Sequence, residues 1–153
     1  MSYFLPYTAL IKITADRPKQ EKSMEIRNLS EQKTVCINTT TSLAELPKVL
    51  GEGYGEIMGL LGKQGLTPTG PPYVLYRNED IENLDIELGI PAAGDIRPEG
   101  RVVSGTLPGG KAAVAIHTGP YDTIGATYEK LTGYIKEQGL ETEGICWESY
   151  VDD

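Results

Sequence analysis

Residues 54–76, YGEIMGLLGKQGLTPTGPPYVLY, and residues 128–150, YEKLTGYIKEQGLETEGICWESY, align without a gap at an offset of 74 positions. Seven of the 23 positions are identical: Tyr54/Tyr128, Gly59/Gly133, Gln64/Gln138, Gly65/Gly139, Leu66/Leu140, Gly70/Gly144 and Tyr76/Tyr150. Self-similarity at a set offset is the mark of a repeated supersecondary unit. Upstream, Val35-Cys36-Ile37-Asn38 matches Val114-Ala115-Ile116-His117 at an offset of 79, so the first copy carries five more residues between its strand and its helix.

Each copy reads as strand, helix, strand. Residues 34–40 and 112–118 are β-branched or alternating runs, which favour strands. Tyr54, Ile57, Met58 and Leu61 recur at helical spacing, as do Tyr128, Leu131 and Ile135. Gly65 and Gly139 follow the last helical turns, where glycine takes the left-handed conformation without strain and closes the helix. Ser42-Leu43-Ala44-Glu45 reads as a capping box opening a short helix, which Gly51 and Gly53 then separate from the main one. Strands are also expected at 73–77, 145–151, 24–29 and 101–107, and at 83–90, where Leu84, Ile86, Leu88 and Ile90 alternate with polar neighbours. Gly94 to Gly100 is the linker.

The expected fold class is α+β. Duplicated strand–helix–strand–strand modules, 24–93 and 101–153, form one pseudo-symmetric antiparallel sheet, with the helices on one face and a ligand cleft on the pseudo-dyad. Residues 1–23 are set apart as an N-terminal extension and a possible edge strand.

The copies differ most tellingly at one position. Tyr73-Val74-Leu75-Tyr76 aligns with Trp147-Glu148-Ser149-Tyr150. Strand side chains alternate faces, so an inward Val74 implies an inward Glu148. A buried carboxylate must be protonated, paired or waiting for a cation. The other reading is a solvated strand glutamate: a register slip of one near Gly144 would expose Glu148 and bury Trp147.

Composition narrows the chemistry. The chain has 153 residues, the size of one domain, with 22 acidic against 14 basic residues and a formal charge of −8. A nucleic-acid backbone is a poor partner for such a molecule and a cationic ligand a better one. Nine tyrosines stand against one tryptophan and one phenylalanine, and tyrosine suits a pocket for flat ligands.

Cys36 and Cys146 form no CxxC, and with one histidine the sequence offers no zinc pattern, so neither metal nor cofactor is expected. The apolar stretch Tyr3 to Ile13 is broken by Pro6 and Lys12 and is too short for a membrane span. With no secretory signal in view, the expected setting is cytoplasmic and reduced. Gly105 to Lys111 imitates a phosphate loop, but Ala112 stands where serine or threonine is needed. A hairpin turn at Pro108-Gly109-Gly110 explains it better. Gly51-Glu-Gly53-Tyr-Gly55 fails G-x-G-x-x-G at Glu56. His117 reads as a strand-end histidine bonded to backbone.

Asp85 to Pro91, Gly110 to Tyr121, Tyr128 to Leu140 and Trp147-Glu148-Ser149-Tyr150, in this order and spacing, resemble the GyrI-like small-molecule-binding domain, also called the AraC-type effector-binding domain, over roughly residues 34–151. The resemblance implies a receptor for planar, hydrophobic, often cationic compounds. It places the family's buried glutamate on Glu148 and the tyrosine after it on Tyr150, with aromatic stacking carried by Tyr54, Tyr128, Tyr76, Tyr121 and Trp147. Strict alternation nevertheless puts Trp147 on the face opposite Glu148.

The chain looks like a stand-alone member, since 153 residues leave no room for a helix-turn-helix domain. Direct nucleic-acid and membrane partners are not expected, and a homodimer stays open. Stand-alone relatives also include hydrolases of cyclopropane-bearing DNA-alkylating natural products and protein inhibitors of DNA gyrase. In the hydrolase alternative Glu148 and Tyr150 would be the catalytic residues. One departure is that the second copy lacks a counterpart of strand 83–90. Thr8-Ala-Leu-Ile-Lys-Ile13 is expected to fill that open edge, in its own chain or in a partner's.

Overall fold

The computed structural model describes residues 7–14, 24–118, 123–140 and 142–150, with backbone only for 7–14 and 142–144. The elements run β1 (Tyr7–Thr14), β2 (Met24–Leu29), β3 (Gln32–Thr41), α1 (Leu46–Lys63), β4 (Tyr73–Tyr76), β5 (Leu84–Pro91), β6 (Val103–Leu107), β7 (Gly110–Thr118), α2 (Ile124–Glu137) and β8 (Thr142–Tyr150). All eight strands join one sheet in the order β2-β7-β1-β8-β4-β5-β3-β6. The fold is α+β, as the residue pattern predicts.

Two strand–helix–strand units, β3-α1-β4 and β7-α2-β8, lie in opposite halves of this sheet, each with one strand inserted between its own two. In the first half the insert is β5, antiparallel to β3 and β4. In the second half it is β1, parallel to β7 and β8. The N-terminal strand thus fills the slot between β7 and β8 in its own chain, as an interior strand. The other strand pairs are antiparallel.

The sheet is rolled, and two short links show it. Ser30-Glu31 joins β2, first in the order, to β3, seventh; Pro108-Gly109 joins β6, eighth, to β7, second. A flat sheet would separate such strands by roughly 29 Å, whereas so short a link spans at most about 11 Å. The two ends therefore curl together. A side chain at Gly109 would lie 2.8 Å from the Glu31 amide nitrogen and 3.0 Å from the Leu29 carbonyl oxygen, so the links pack on each other. The hairpin expected at Pro108-Gly109-Gly110 is corrected accordingly: β6 pairs with β3, and β7 with β2 and β1.

Rolling buries both faces. Inside lie Tyr73, Leu75, Leu107, Ala112, Val114 and Trp147. Outside, Val35, Ile37, Val74, Ile86 and Leu88 pack against Ile57, Leu60 and Leu61 of α1. Ala113 and Ala115 of β7 receive Leu131 and Ile135 of α2. Both helices therefore lie on the outer face.

α1 is continuous from Leu46 to Lys63, which corrects the expected break at Gly51 and Gly53. Glycine lowers helix propensity by about 1 kcal/mol per residue, but packing of an apolar stripe outweighs that. Gly53 belongs to the stripe, because a Cβ there would come within 2.5 Å of Leu88 Cδ1. Ser42 does accept the Glu45 amide at 3.2 Å, in the turn before the helix. Gly65 (φ +70°) and Gly139 (φ +71°) end the helices, with Leu66 donating to the Leu61 carbonyl at 2.8 Å and Leu140 to the Ile135 carbonyl at 3.1 Å. This is the closure read from the glycines. Among the described residues no helix is long and apolar enough to cross a membrane.

Candidate ligand-binding site

β8 lies between β1 and β4, and alternation along it points Cys146, Glu148 and Tyr150 to the helix-covered face and Trp147 into the roll. Glu148 is 1% exposed. In the ladder it faces Val74 of β4 on one side and stands in register with Ile11 of β1 on the other. The slipped register that would expose it does not occur.

Three phenol hydroxyls converge on this carboxylate. Tyr128 of α2 donates to Oε2 in a very short contact. Tyr76 of β4 and Tyr150 of β8 each donate to Oε1 at 3.3 Å. The Cys146 thiol in turn donates to the Tyr128 hydroxyl oxygen at 3.6 Å. An ionised carboxylate is acceptor-only with about four acceptor positions, so hydroxyl donors match it. Burial first, then the neighbouring Cys146 and Glu148, pushes the Tyr128 hydroxyl well above the ordinary phenol range, so it stays a donor. Burial likewise pushes the Cys146 thiol up to about 12, against a lowering by its bond to Tyr128.

Tyr54, Tyr76, Tyr128 and Tyr150 are half-buried. Tyr54, Tyr76 and Tyr150 pack against the α1 core and Tyr128 against the α2 core, so Glu148 sits where the two cores meet. Tyr54 donates to the Tyr73 carbonyl at 2.6 Å, which holds its ring over the start of β4. Trp147 lies apart from this cluster, on the opposite face of β8: it is 2% exposed and packs inside the roll with Tyr73 and Leu75. Tyr121 lies outside the described residues.

Sequence reasoning passed over Cys146 as a member of this cluster, although its place two residues before Glu148 already put it on the same face. It also passed over a second buried acid, Glu87 of β5, 8% exposed on the inner face. Glu87 accepts from the Tyr73 hydroxyl at 2.7 Å and from Arg77 at 3.0 Å. The Tyr73 hydroxyl also bonds Thr34 at 2.9 Å. Arg77 compensates the Glu87 charge, so this second network is an inner-face ion pair. His117 lies near the end of β7 and is buried. Its ring bonds Thr127 at 2.7 Å and Thr123 at 3.4 Å, tying β7 to the start of α2 through side chains.

The carboxylate thus lies buried beneath aromatic side chains on a rolled α+β sheet backed by two helices. The chain belongs to the GyrI-like family: the family model for the GyrI-like small molecule binding domain matches residues 6–153. Among solved structures it is similar to the EcmrR C-terminal domain, with a TM-score of 0.65 and 21% identity over 74% of each chain. It also resembles EcmrR in its cryo-EM complex with DNA, with a TM-score of 0.64 and 22% identity over 74% of this chain and 43% of that one. A hydrolase from Listeria innocua follows with a TM-score of 0.54 and 14% identity, over 76% of this chain and 74% of that one. At these identities the likeness is one of fold. No curated protein matches the sequence.

Proposed function

We propose that this domain is a receptor for planar, hydrophobic aromatic cations, held by Glu148, Tyr128, Tyr76 and Tyr150, with Tyr54 contributed by α1. The observation that carries this reading is a carboxylate 1% exposed and held by hydroxyls from α2, β4 and β8. The three hydroxyl donors are neutral, so their bonds hold the carboxylate in place and do not themselves cancel its charge. The negative faces of the half-buried rings add cation–π attraction of about 0.5–2 kcal/mol. A general-base role fits less well, because hydroxyls already take most of the acceptor positions that an attacking water would need.

The test is fluorescence titration of wild type and Glu148→Gln with planar cationic dyes and a neutral isostere of each. The expected result is micromolar binding of the cations that falls at least tenfold in the variant, about 1.4 kcal/mol, with the neutral dyes unmoved. Equal binding of the cations by both proteins would remove Glu148 from the site.

A further inference from the structure

We propose that the exposed side of α2 docks an extended segment of a partner protein, one that carries a basic residue and, two positions later, an acidic one. The guide is α1, where this chain supplies such a segment itself. Residues 92–102, between β5 and β6, are strapped along the second half of α1. Gln64 clamps the strap through both atoms of its amide. Its Nε2 donates to the Arg97 carbonyl and its Oε1 accepts from the Arg97 amide, each at 2.9 Å. Two residues on, Glu99 accepts from Lys63 at 2.7 Å. Two further on, Arg101 forks onto Glu56 at 2.8 and 3.0 Å. Ile96 and Val102 of the strap are buried in the α1 core together with Leu60, which is 5% exposed.

The offset of 74 carries this groove onto α2 with its charges exchanged. Gln64 matches Gln138 and Gly59 matches Gly133, whereas Glu56 matches Lys130 and Lys63 matches Glu137. Leu60 matches Tyr134, which is only half-buried. Lys130, Glu137 and Gln138 are exposed, and among the described residues none of their side chains has a hydrogen-bond or ion-pair partner. Gly59 lines the α1 groove, and a methyl group at Gly133, as at Gly59, would meet nothing within 4 Å. The α2 surface thus keeps the amide clamp and the open glycine. Glu137 calls for a base two positions after the clamped residue, and Lys130 for an acid four positions after it. The chain's own strap sequence is the wrong occupant, because Glu99 would face Glu137 and Arg101 would face Lys130. Exposed charges of this kind add little affinity but discriminate between partners.

Two fluorescein-labelled peptides covering residues 94–103 test this, one with the chain's own sequence and one carrying Glu99→Lys and Arg101→Glu. In anisotropy titrations against the full chain, the charge-exchanged peptide should bind about fivefold tighter or more. With Lys130→Glu and Glu137→Lys together in the full chain, the preference should reverse at unchanged net charge. Gln138→Ala should weaken the charge-exchanged peptide about threefold or more by removing the clamp. All three substituted positions are exposed, so the variants should melt as wild type does. Failure of both peptides to bind at about 1 mM overturns the inference. So does a preference that the double variant leaves unchanged. Equal or tighter binding of the chain's own sequence by wild type overturns it too, and points to the strap of a second copy as the occupant.

Discussion

Val74 of β4 and Glu148 of β8 are direct partners across an antiparallel ladder, an aliphatic side chain and a carboxylate side by side on the helix-covered face. Both are buried, at 0% and 1% exposure. They are also the two residues that the offset-74 self-alignment matches with each other. Val74 shows that this part of the sheet accommodates an apolar residue, so the carboxylate is a cost to the fold borne at one of two paired positions.

Replacing Glu148 with methionine, of similar length and volume, should therefore separate stability from binding. A buried charge exchanged for a packed apolar group is often neutral or stabilising. Urea denaturation of Glu148→Met should show a loss of no more than about 1 kcal/mol, while affinity for cationic dyes disappears. A loss well beyond that would make the carboxylate a stabilising part of the fold.

Two glycines on one helix should respond oppositely to alanine. At Gly53 the new methyl would stand 2.5 Å from Leu88 Cδ1, and Leu88 is itself fully buried, so Gly53→Ala should cost about 1–3 kcal/mol by overpacking. At Gly55 nothing lies within 4 Å, and alanine removes backbone entropy from the unfolded chain. Gly55→Ala should stabilise by about 0.5–1 kcal/mol. Thermal melts of the pair decide the matter, and a gain at both positions would contradict the close approach of α1 to β5.

Alkali should unfold the protein earlier than acid chemistry alone suggests. Burial raises the thiols of Cys36 and Cys146 from 9.0 to about 12 and lifts the hydroxyls of Tyr73 and Tyr128 well above 10.0. The folded chain therefore keeps protons that the unfolded chain gives up. Stability from these groups is complete below about pH 9 and is lost as pH rises towards 12. The slope is about 1.4 kcal/mol per pH unit for each titrating group. Urea midpoints measured from pH 8 to 11 should fall steadily, and less steeply in Cys36→Ala. A flat profile would rule out burial as the cause.

Removing residues 1–20 takes away β1, which pairs with β7 along Thr8 to Thr14 and with β8 along Tyr7 to Ile13. Both neighbours then present a bare edge in mid-sheet, a template for aggregation. The truncated protein should precipitate or lose its cooperative melt. A melting temperature equal to that of the full chain would mean that β1 contributes nothing to the fold.

Much of this architecture was legible because it is local. Periodicity located the strands and both helices, the glycines after Lys63 and Glu137 located their ends, and alternation from Val74 turned Glu148 inward. What escaped was long-range. Nothing near Pro108 says that β6 and β7 belong to opposite ends of a sheet, so a hairpin was the natural reading. The polar neighbours on the second face of β5 give no local sign that closure of the roll, which involves strands far away in sequence, buries Glu87. Gly51 and Gly53 read as a helix break because only the contact with Leu88 reveals why glycine is there.

The position of β1 has a consequence for how the protein is made. Thr8 pairs with Ala112 and Ile11 with Glu148, so the strand that a ribosome releases early has its partners among residues released late. Until β7 emerges, β1 is an apolar strand without a ladder, and until β8 emerges one of its two edges stays unpaired; such non-local pairing is slow and prone to wrong association. The carboxylate of the site arrives on that same late strand. A nascent chain stalled before residue 142 would thus hold most of its sheet residues without Glu148, and under the proposed function ligand binding should switch on only as the final strand docks beside the first.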